Sequence, residues 1–307
     1  MKTTTFFSYK GGAGRSTTCF NTIPFLAQEV GACKERPILL IDMDIESAGM
    51  TYLLNLDQEF HSTEARDRFD VKKLLKNELQ FSSARCDIFN HPLYKEFVPV
   101  GKRLGLEDDY SVMFLGVDDA SPQLNRSDIS GSAQPVFTKL VDFADKNYFG
   151  AIVMDSAAGD QFSAHVALGV SDNVVFCMKM THQFRIGTFN YLHKFATNNP
   201  AAANYINIIL LPTVVANDIE LDGKSQLQTS IDDIKARLSN LSNKFNSLNI
   251  TTDFVTEKDN FGINEVIRFK WKEGVLYQIS QTHNYQMAED EKKAYRQYEL
   301  LARCVGE

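Results

Sequence analysis

Eight consecutive residues near the start of the chain, Lys10-Gly11-Gly12-Ala13-Gly14-Arg15-Ser16-Thr17, combine the groups needed to hold a polyphosphate. Glycines let successive backbone N–H groups turn inward on anionic oxygens, a cation offsets their charge, and a hydroxyl can bind a divalent metal. Gly11, Gly12 and Gly14 supply the first, Lys10 and Arg15 the second, Ser16 the third. Two acidic segments lie farther on: Ile41-Asp42-Met43-Asp44, with Gly49 after it, and an apolar run from Phe149 that ends in Asp155. A carboxylate at the C-terminal end of a strand beside such a loop can hold a divalent cation through water. Blander roles stay open for each residue. Ser16 and Thr17 could cap a helix, Asp155 could cap a neighbouring turn, and Lys10 and Asp44 could be ordinary exposed charges.

These residues need elements to place them. Thr3 to Phe7 reads as a strand that feeds the glycine loop, and Phe20, Ile23, Ala27 and Val30 then recur at helical spacing, so a helix begins near Ser16. Pro24 inside it should kink the helix or cost a hydrogen bond. Short apolar runs at Ile38 to Ile41, Ala151 to Met154, Val174 to Met178 and Ile206 to Leu211 show no alternation. They are separated by helical stretches such as Val136 to Asn147 and Thr188 to Ala196. That order predicts an α/β fold: a mostly parallel central sheet with helices on both faces, in a single domain over residues 1–307 with an insert and a C-terminal helical extension.

Residues 53–135 read as a variable insert. It has charge-rich pieces (Glu64 to Lys76, Lys102 to Asp109), a polar stretch from Asp118 to Gly131, one helix, one strand at Ser111 to Val117, and mobile loops. Over 224–248, Leu227, Ile231, Ile234, Leu238, Leu241, Phe245 and Leu248 form a heptad seam on one long helix. The seam suits either a coiled-coil partner or the protein's own sheet. A last helix is expected over Met287 to Val305.

Composition narrows the class. In 307 residues, 32 Lys+Arg face 39 Asp+Glu for a net charge of −7, and 44% are hydrophobic. Those values fit a packed globular protein and argue against disorder, collagen, a disulfide scaffold or a dedicated nucleic-acid coat. No apolar run reaches the roughly 18 residues of a membrane span, and the opening segment lacks the features of a secretory signal, so a cytoplasmic location is expected. Cys19, Cys33, Cys86, Cys177 and Cys304 show no metal or redox spacing and are expected to be buried free thiols.

The loop departs from G-x-x-x-x-G-K-[ST], with Tyr9 at the first glycine position and Arg15 at the lysine, but meets K-G-G-x-G-[KR]-[ST]. With Asn21 in the following helix, Asp42-Met43-Asp44 and Gly49, the strand ending at Asp155, and Ser171-Asp172-Asn173-Val174-Val175, the chain resembles the ParA/MinD family of deviant-Walker P-loop ATPases over most of its length. The resemblance implies a dimerising switch, with ATP and Mg²⁺ sandwiched between two subunits and a closed homodimer that binds a protein partner or non-specific DNA, as in partition or positioning. It implies that Gly11, Gly12, Ala13, Gly14, Arg15, Ser16 and Thr17 cradle the phosphates and that Lys10 reaches the partner subunit's nucleotide. Ser16, Asp42 and Asp155 would serve Mg²⁺, and Asp44, with Lys10 and Arg15, catalysis. A protein partner would dock on the insert or the heptad helix.

Two departures bear on these expectations. Arg15 stands where the family usually has lysine, and a planar guanidinium does not replace an ammonium at a tight phosphate site, so slow hydrolysis is expected. Pro212-Thr213 stands where members often carry an asparagine for base recognition; the lack of N-K-x-D weakly supports ATP. Candidate DNA contacts are Arg268, Lys270 and Lys272 around Trp271, together with Lys179 and Arg185, and would give weak, salt-sensitive binding. The mixed charges from Met287 to Glu307 argue against a membrane anchor. Tyr277, Tyr285, Tyr295 and Tyr298 are read as packing residues. Two alternatives remain: a weakly hydrolysing structural or sensor subunit of a larger assembly, and an ATP-dependent metabolite ligase of the same fold group.

Overall fold

A computed structural model describes residues 1–56, 69–78, 80–118, 124, 133–213, 220–221, 224–245, 248–255, 262 and 289–307. Its centre is an eight-stranded sheet. The strands are β1 (Lys2–Phe7), β2 (Ile38–Met43), β3 (Val98–Pro99), β4 (Val112–Leu115), β5 (Ala151–Ser156), β6 (Asn173–Lys179), β7 (Asn207–Thr213) and β8 (Asn249–Thr251). Their order across the sheet is β8-β7-β6-β1-β5-β2-β4-β3, and only the β3–β4 pairing is antiparallel. The expected mostly parallel α/β sheet is therefore present. β1 lies in the middle, paired with β5 on one side and β6 on the other, so the loop that follows it opens at the centre of the sheet's C-terminal edge.

The apolar runs form strands because both faces of the sheet are covered. In β2, Ile38 and Leu40 join a core with Cys19, Ile23 and Leu26 of α1 (Arg15–Glu29), whereas Leu39 and Ile41 join a second core with Phe137, Leu140 and Phe143 of α2 (Ala133–Lys146). α3 (Phe162–Gly169) completes the crossover from β5 to β6, and α4 (His182–Asn198) that from β6 to β7. α5 (Gln226–Lys244) precedes β8, and α6 (Glu289–Gly306) packs on α1, with Tyr295 and Tyr298 ringing Phe25 at centroid distances of 4.8 and 6.1 Å. Those two tyrosines are packing residues.

Several expectations change in detail. Pro24 does lie inside α1, where it has no backbone N–H to give to the helix. The strand placed in the insert is β4, and it belongs to the main sheet, with Ile38 opposite Val112. Thus the segment 53–135 is part fold and part excursion. Edge strand β3, only two residues long and containing a proline, and the short polar strand β8 lack the pattern of the central strands. On α5, Ile231, Ile234, Leu238 and Leu241 are buried in the protein's own core, so the heptad seam faces inward. Cys19 and Cys177 are buried as expected, but Cys86 is exposed and Cys33 and Cys304 are partly so. Among the described residues, no helix is long and apolar enough to cross a membrane.

Candidate functional site

The loop after β1 owes its shape to two glycines in the left-handed region, Gly12 at φ +79° and Gly14 at φ +80°. Gly14 is the N-cap of α1 and no side chain caps that end, so the first-turn amides of the helix are left for a ligand. Side chains with a Cβ are strained at such φ values, which explains the glycines at these positions. The loop is anchored where it leaves β1: the Gly159 amide donates to the Ser8 carbonyl at 2.9 Å, and the Ser8 hydroxyl to the Lys10 carbonyl at 3.1 Å. In its middle, the Thr213 hydroxyl at the end of β7 donates to the Ala13 carbonyl. Asn21 donates back to the Thr17 carbonyl at 2.9 Å, within α1.

The result is a cleft of about 280 Å³ lined by Ser8, Gly11 to Thr17, Asp44, Ser47 and Ala158. Its most unusual component is Arg15. The side chain is only 8% exposed; its Nε donates to Asp155 Oδ1 and its Nη2 to Asp44 Oδ2, each at 2.7 Å. Nη2 also lies 3.5 Å from Ser16 Oγ. Burial opposes charge on the guanidinium, but the fields of Asp155 and Asp44 outweigh it and hold Arg15 protonated. The guanidinium thus bridges the ends of two strands.

Asp42 and Asp155 face each other in register on β2 and β5, both fully buried. Burial raises the Asp42 carboxyl to about 7, with repulsion from Asp155 adding to it and hydrogen bonds from Thr51 opposing it. Burial likewise raises Asp155, against the pull of Arg15. The Asp42 oxygens are committed: Oδ2 accepts from the Thr51 amide at 2.9 Å and hydroxyl at 3.0 Å, and Oδ1 from the Asp44 amide at 3.2 Å. Asp42 therefore organises the turn from β2 to Gly49 and does not line the cleft.

Of the residues named from sequence, Gly11, Gly12, Ala13, Gly14, Arg15, Ser16, Thr17 and Asp44 come together on the cleft wall, with Asp155 behind Arg15. Lys10 is exposed on the rim. Arg185 is paired with Asp233 at 2.8 Å, and Lys179 turns toward the loop, where a Cβ built on Gly12 would lie 3.8 Å from its Nζ. Arg268, Lys270, Trp271, Lys272, Tyr277 and Tyr285 lie outside the described residues. The roles of Thr213 and Lys179 at the loop carry no local sequence signal, because each arrives from a distant strand end.

The oxygen donors available to a divalent metal are Ser16 Oγ on the cleft wall and Asp155 Oδ2, buried behind Arg15. Asp155 Oδ2 is buried without a hydrogen-bond partner, and Ser16 Oγ lies near enough to Gly49 that a Cβ there would stand 3.2 Å away. A hydroxyl and an unpartnered carboxylate oxygen are hard donors of the type Mg²⁺ takes, and phosphates and water normally complete its shell.

No family model and no curated protein matches the sequence. Solved structures do match. The chain superposes on a chain of the MinC:MinD cell division protein complex of Aquifex aeolicus with a TM-score of 0.56 and 14% identity, covering 100% of this chain and 96% of that one. A plasmid partition protein from Borrelia burgdorferi bound to AMPPNP gives 0.53 and 15%, with 99% and 98% covered. The septum site-determining protein MinD of Pyrococcus horikoshii complexed with Mg-ADP gives 0.51 and 14%, with 99% and 95% covered. The chain shares the fold of these proteins.

Proposed function

We propose that the chain is a P-loop ATPase of the ParA/MinD type, a switch that closes as a homodimer on ATP and Mg²⁺ and opens after slow hydrolysis. The observation that carries this reading is the loop itself: two left-handed glycines present the uncapped start of α1 to a cleft walled by Ser16 and Asp44, with Asp155 behind. The shared fold, and the AMPPNP and Mg-ADP named for two of the matching structures, support a nucleotide there.

In this reading the amides of Gly11 to Thr17 bind the phosphate chain, and Ser16 and Asp155 hold Mg²⁺, which when bound neutralises charge on the phosphate oxygens. Asp42 stands behind them, orienting the turn that carries Asp44. Asp44 then orients the attacking water, and exposed Lys10 crosses to the partner subunit's nucleotide. The closed dimer presents a surface to a protein partner or, weakly, to DNA; the cytoplasm is the expected location.

Arg15 supports a slow rate. Its guanidinium is held by two carboxylates, so charge on a transferring phosphoryl group must compete with Asp44 and Asp155 for the same donors. That favours, as a second reading, a subunit that binds nucleotide but hydrolyses little and works as a structural or sensing component.

The test is solution mass by light scattering on Asp44→Ala protein with Mg²⁺ and either ADP or ATP. A monomer in ADP that dimerises in ATP, and no longer does so with Lys10→Ala added, supports the switch. A mass indifferent to nucleotide sinks it and leaves the structural subunit or a metabolite ligase.

A further inference from the structure

The loop is approached from both flanks. On the β5 and β2 side stand Asp155 and Asp44 with the Arg15 guanidinium between them. On the β6 and β7 side stand Lys179 and Thr213, the last residues of their strands and directly in register. Thr213 holds the Ala13 carbonyl, and the Lys179 ammonium reaches Gly12, where an added Cβ would come within 3.8 Å of it. Lys179 is half-buried, with its Nζ 5.9 Å from the centroid of the Phe184 ring. Among the described residues no carboxylate pairs with it. A half-buried ammonium without a carboxylate partner is free to meet an anion, and the nearest feature built to take one is the loop beside it.

The charge balance points the same way. Arg15, the cation the sequence places inside the loop, gives Nε to one carboxylate and Nη2 to another. One positive charge facing two negative ones leaves little attraction for a polyphosphate on that flank. An ammonium on the opposite flank meets no such competition. Its compact charge and three rotatable donors also accept a phosphate oxygen from many directions, as a planar guanidinium does not.

We propose that Lys179 is a phosphate-binding residue: an ammonium delivered from the end of β6 that contacts an oxygen of a bound nucleoside triphosphate and supplies the charge that Arg15 commits to Asp44 and Asp155. The inference rests on the nucleotide-binding reading of the loop. It also assigns Lys179 to the loop, beside Gly12 at the edge of the cleft, and not to a DNA-binding face.

The experiment is a calorimetric titration, in Mg²⁺, of ATP and separately of inorganic tripolyphosphate into the wild-type, Lys179→Met and Lys179→Arg proteins, with a thermal melt of each. A charge-assisted hydrogen bond predicts that the Met variant loses about tenfold or more in affinity for both probes, that Arg recovers most of it, and that melting temperatures stay level. Affinities unchanged in the Met variant overturn the proposal. So does a loss for ATP but not tripolyphosphate, which would put Lys179 on the ribose or base, and so does a loss in both variants that tracks a lowered melting temperature, which would mark a packing role. A wild-type protein that binds neither probe overturns the nucleotide-binding reading itself.

Discussion

Arg15 and Asp44, 29 positions apart in sequence, meet at 2.7 Å between Nη2 and Oδ2, with the arginine 8% and the aspartate 13% exposed. The same guanidinium holds Asp155, which is fully buried. This is a small buried ionic network, and such networks are costly to break from one side.

Arg15→Ala would leave two neighbouring carboxylates without their cation. A loss of roughly 3–5 kcal/mol of stability is expected, the usual cost of removing one partner of a buried pair. Millimolar Mg²⁺ should restore part of it by supplying a cation to Asp155 and Ser16, while the nucleotide-free wild type should respond little. Thermal melts with and without Mg²⁺ decide this, and a variant that melts within a degree of wild type argues against the network.

The Asp42 carboxyl, raised to about 7 by burial and the facing Asp155, makes stability depend on pH. Its folded value lies above its unfolded one near 4, so the folded state binds the proton more tightly. The contribution is complete below about pH 4 and is lost as pH rises through about 7, at no more than about 1.4 kcal/mol per pH unit. In the absence of nucleotide, wild type minus Asp42→Asn should therefore show stability falling from pH 5 to 7 and levelling above. A difference that is flat or rises over that range would contradict the assignment.

Thr213→Val keeps the side-chain shape but removes the hydroxyl that donates to the Ala13 carbonyl. A cost of about 1 kcal/mol in urea unfolding is expected, the net value of one such bond. The larger effect should be on ATP affinity, because the loop loses its tie to β7. Equal ATP affinities for variant and wild type would mean that the loop holds its shape without Thr213.

Gly187, inside α4, sits beneath the Tyr9 ring: an added Cβ would lie 2.1 Å from Tyr9 Cε1. Gly187→Ala should destabilise the wild type by displacing that ring. In a Tyr9→Ala background the same change should be neutral or stabilising, since alanine is the better helix former by about 1 kcal/mol. A double-mutant cycle by urea unfolding reads the sign change directly.

The sheet was largely legible because strands buried on both faces are mostly apolar or β-branched, as Ile38 to Ile41, Ala151 to Met154 and the buried Thr3 to Thr5 of β1 are. Edge strands escape that rule. Asn249–Thr251 and Val98–Pro99 are short, and their pairing is set by neighbours, not by their own pattern. The loop was legible because Lys10 to Thr17 are contiguous. Its surroundings were not: Arg15 meets Asp155 across 140 positions and Thr213 meets Ala13 across 200, and no local spacing encodes such encounters. The seam at Ile231, Ile234, Leu238 and Leu241 has the right period for either partner, and only the position of α5 against the sheet turns it inward.

The pairing of α6 with α1 also bears on how the protein is made. The helix that begins at Arg15 is covered by Tyr295, Tyr298 and Leu301, which leave the ribosome after every strand of the sheet. β1 likewise waits for β5 and β6 before it gains either neighbour. The nascent chain therefore carries an exposed apolar face on α1 through most of its synthesis, and the phosphate loop cannot gain its ties to Gly159 and Thr213 until β5 and β7 have been made.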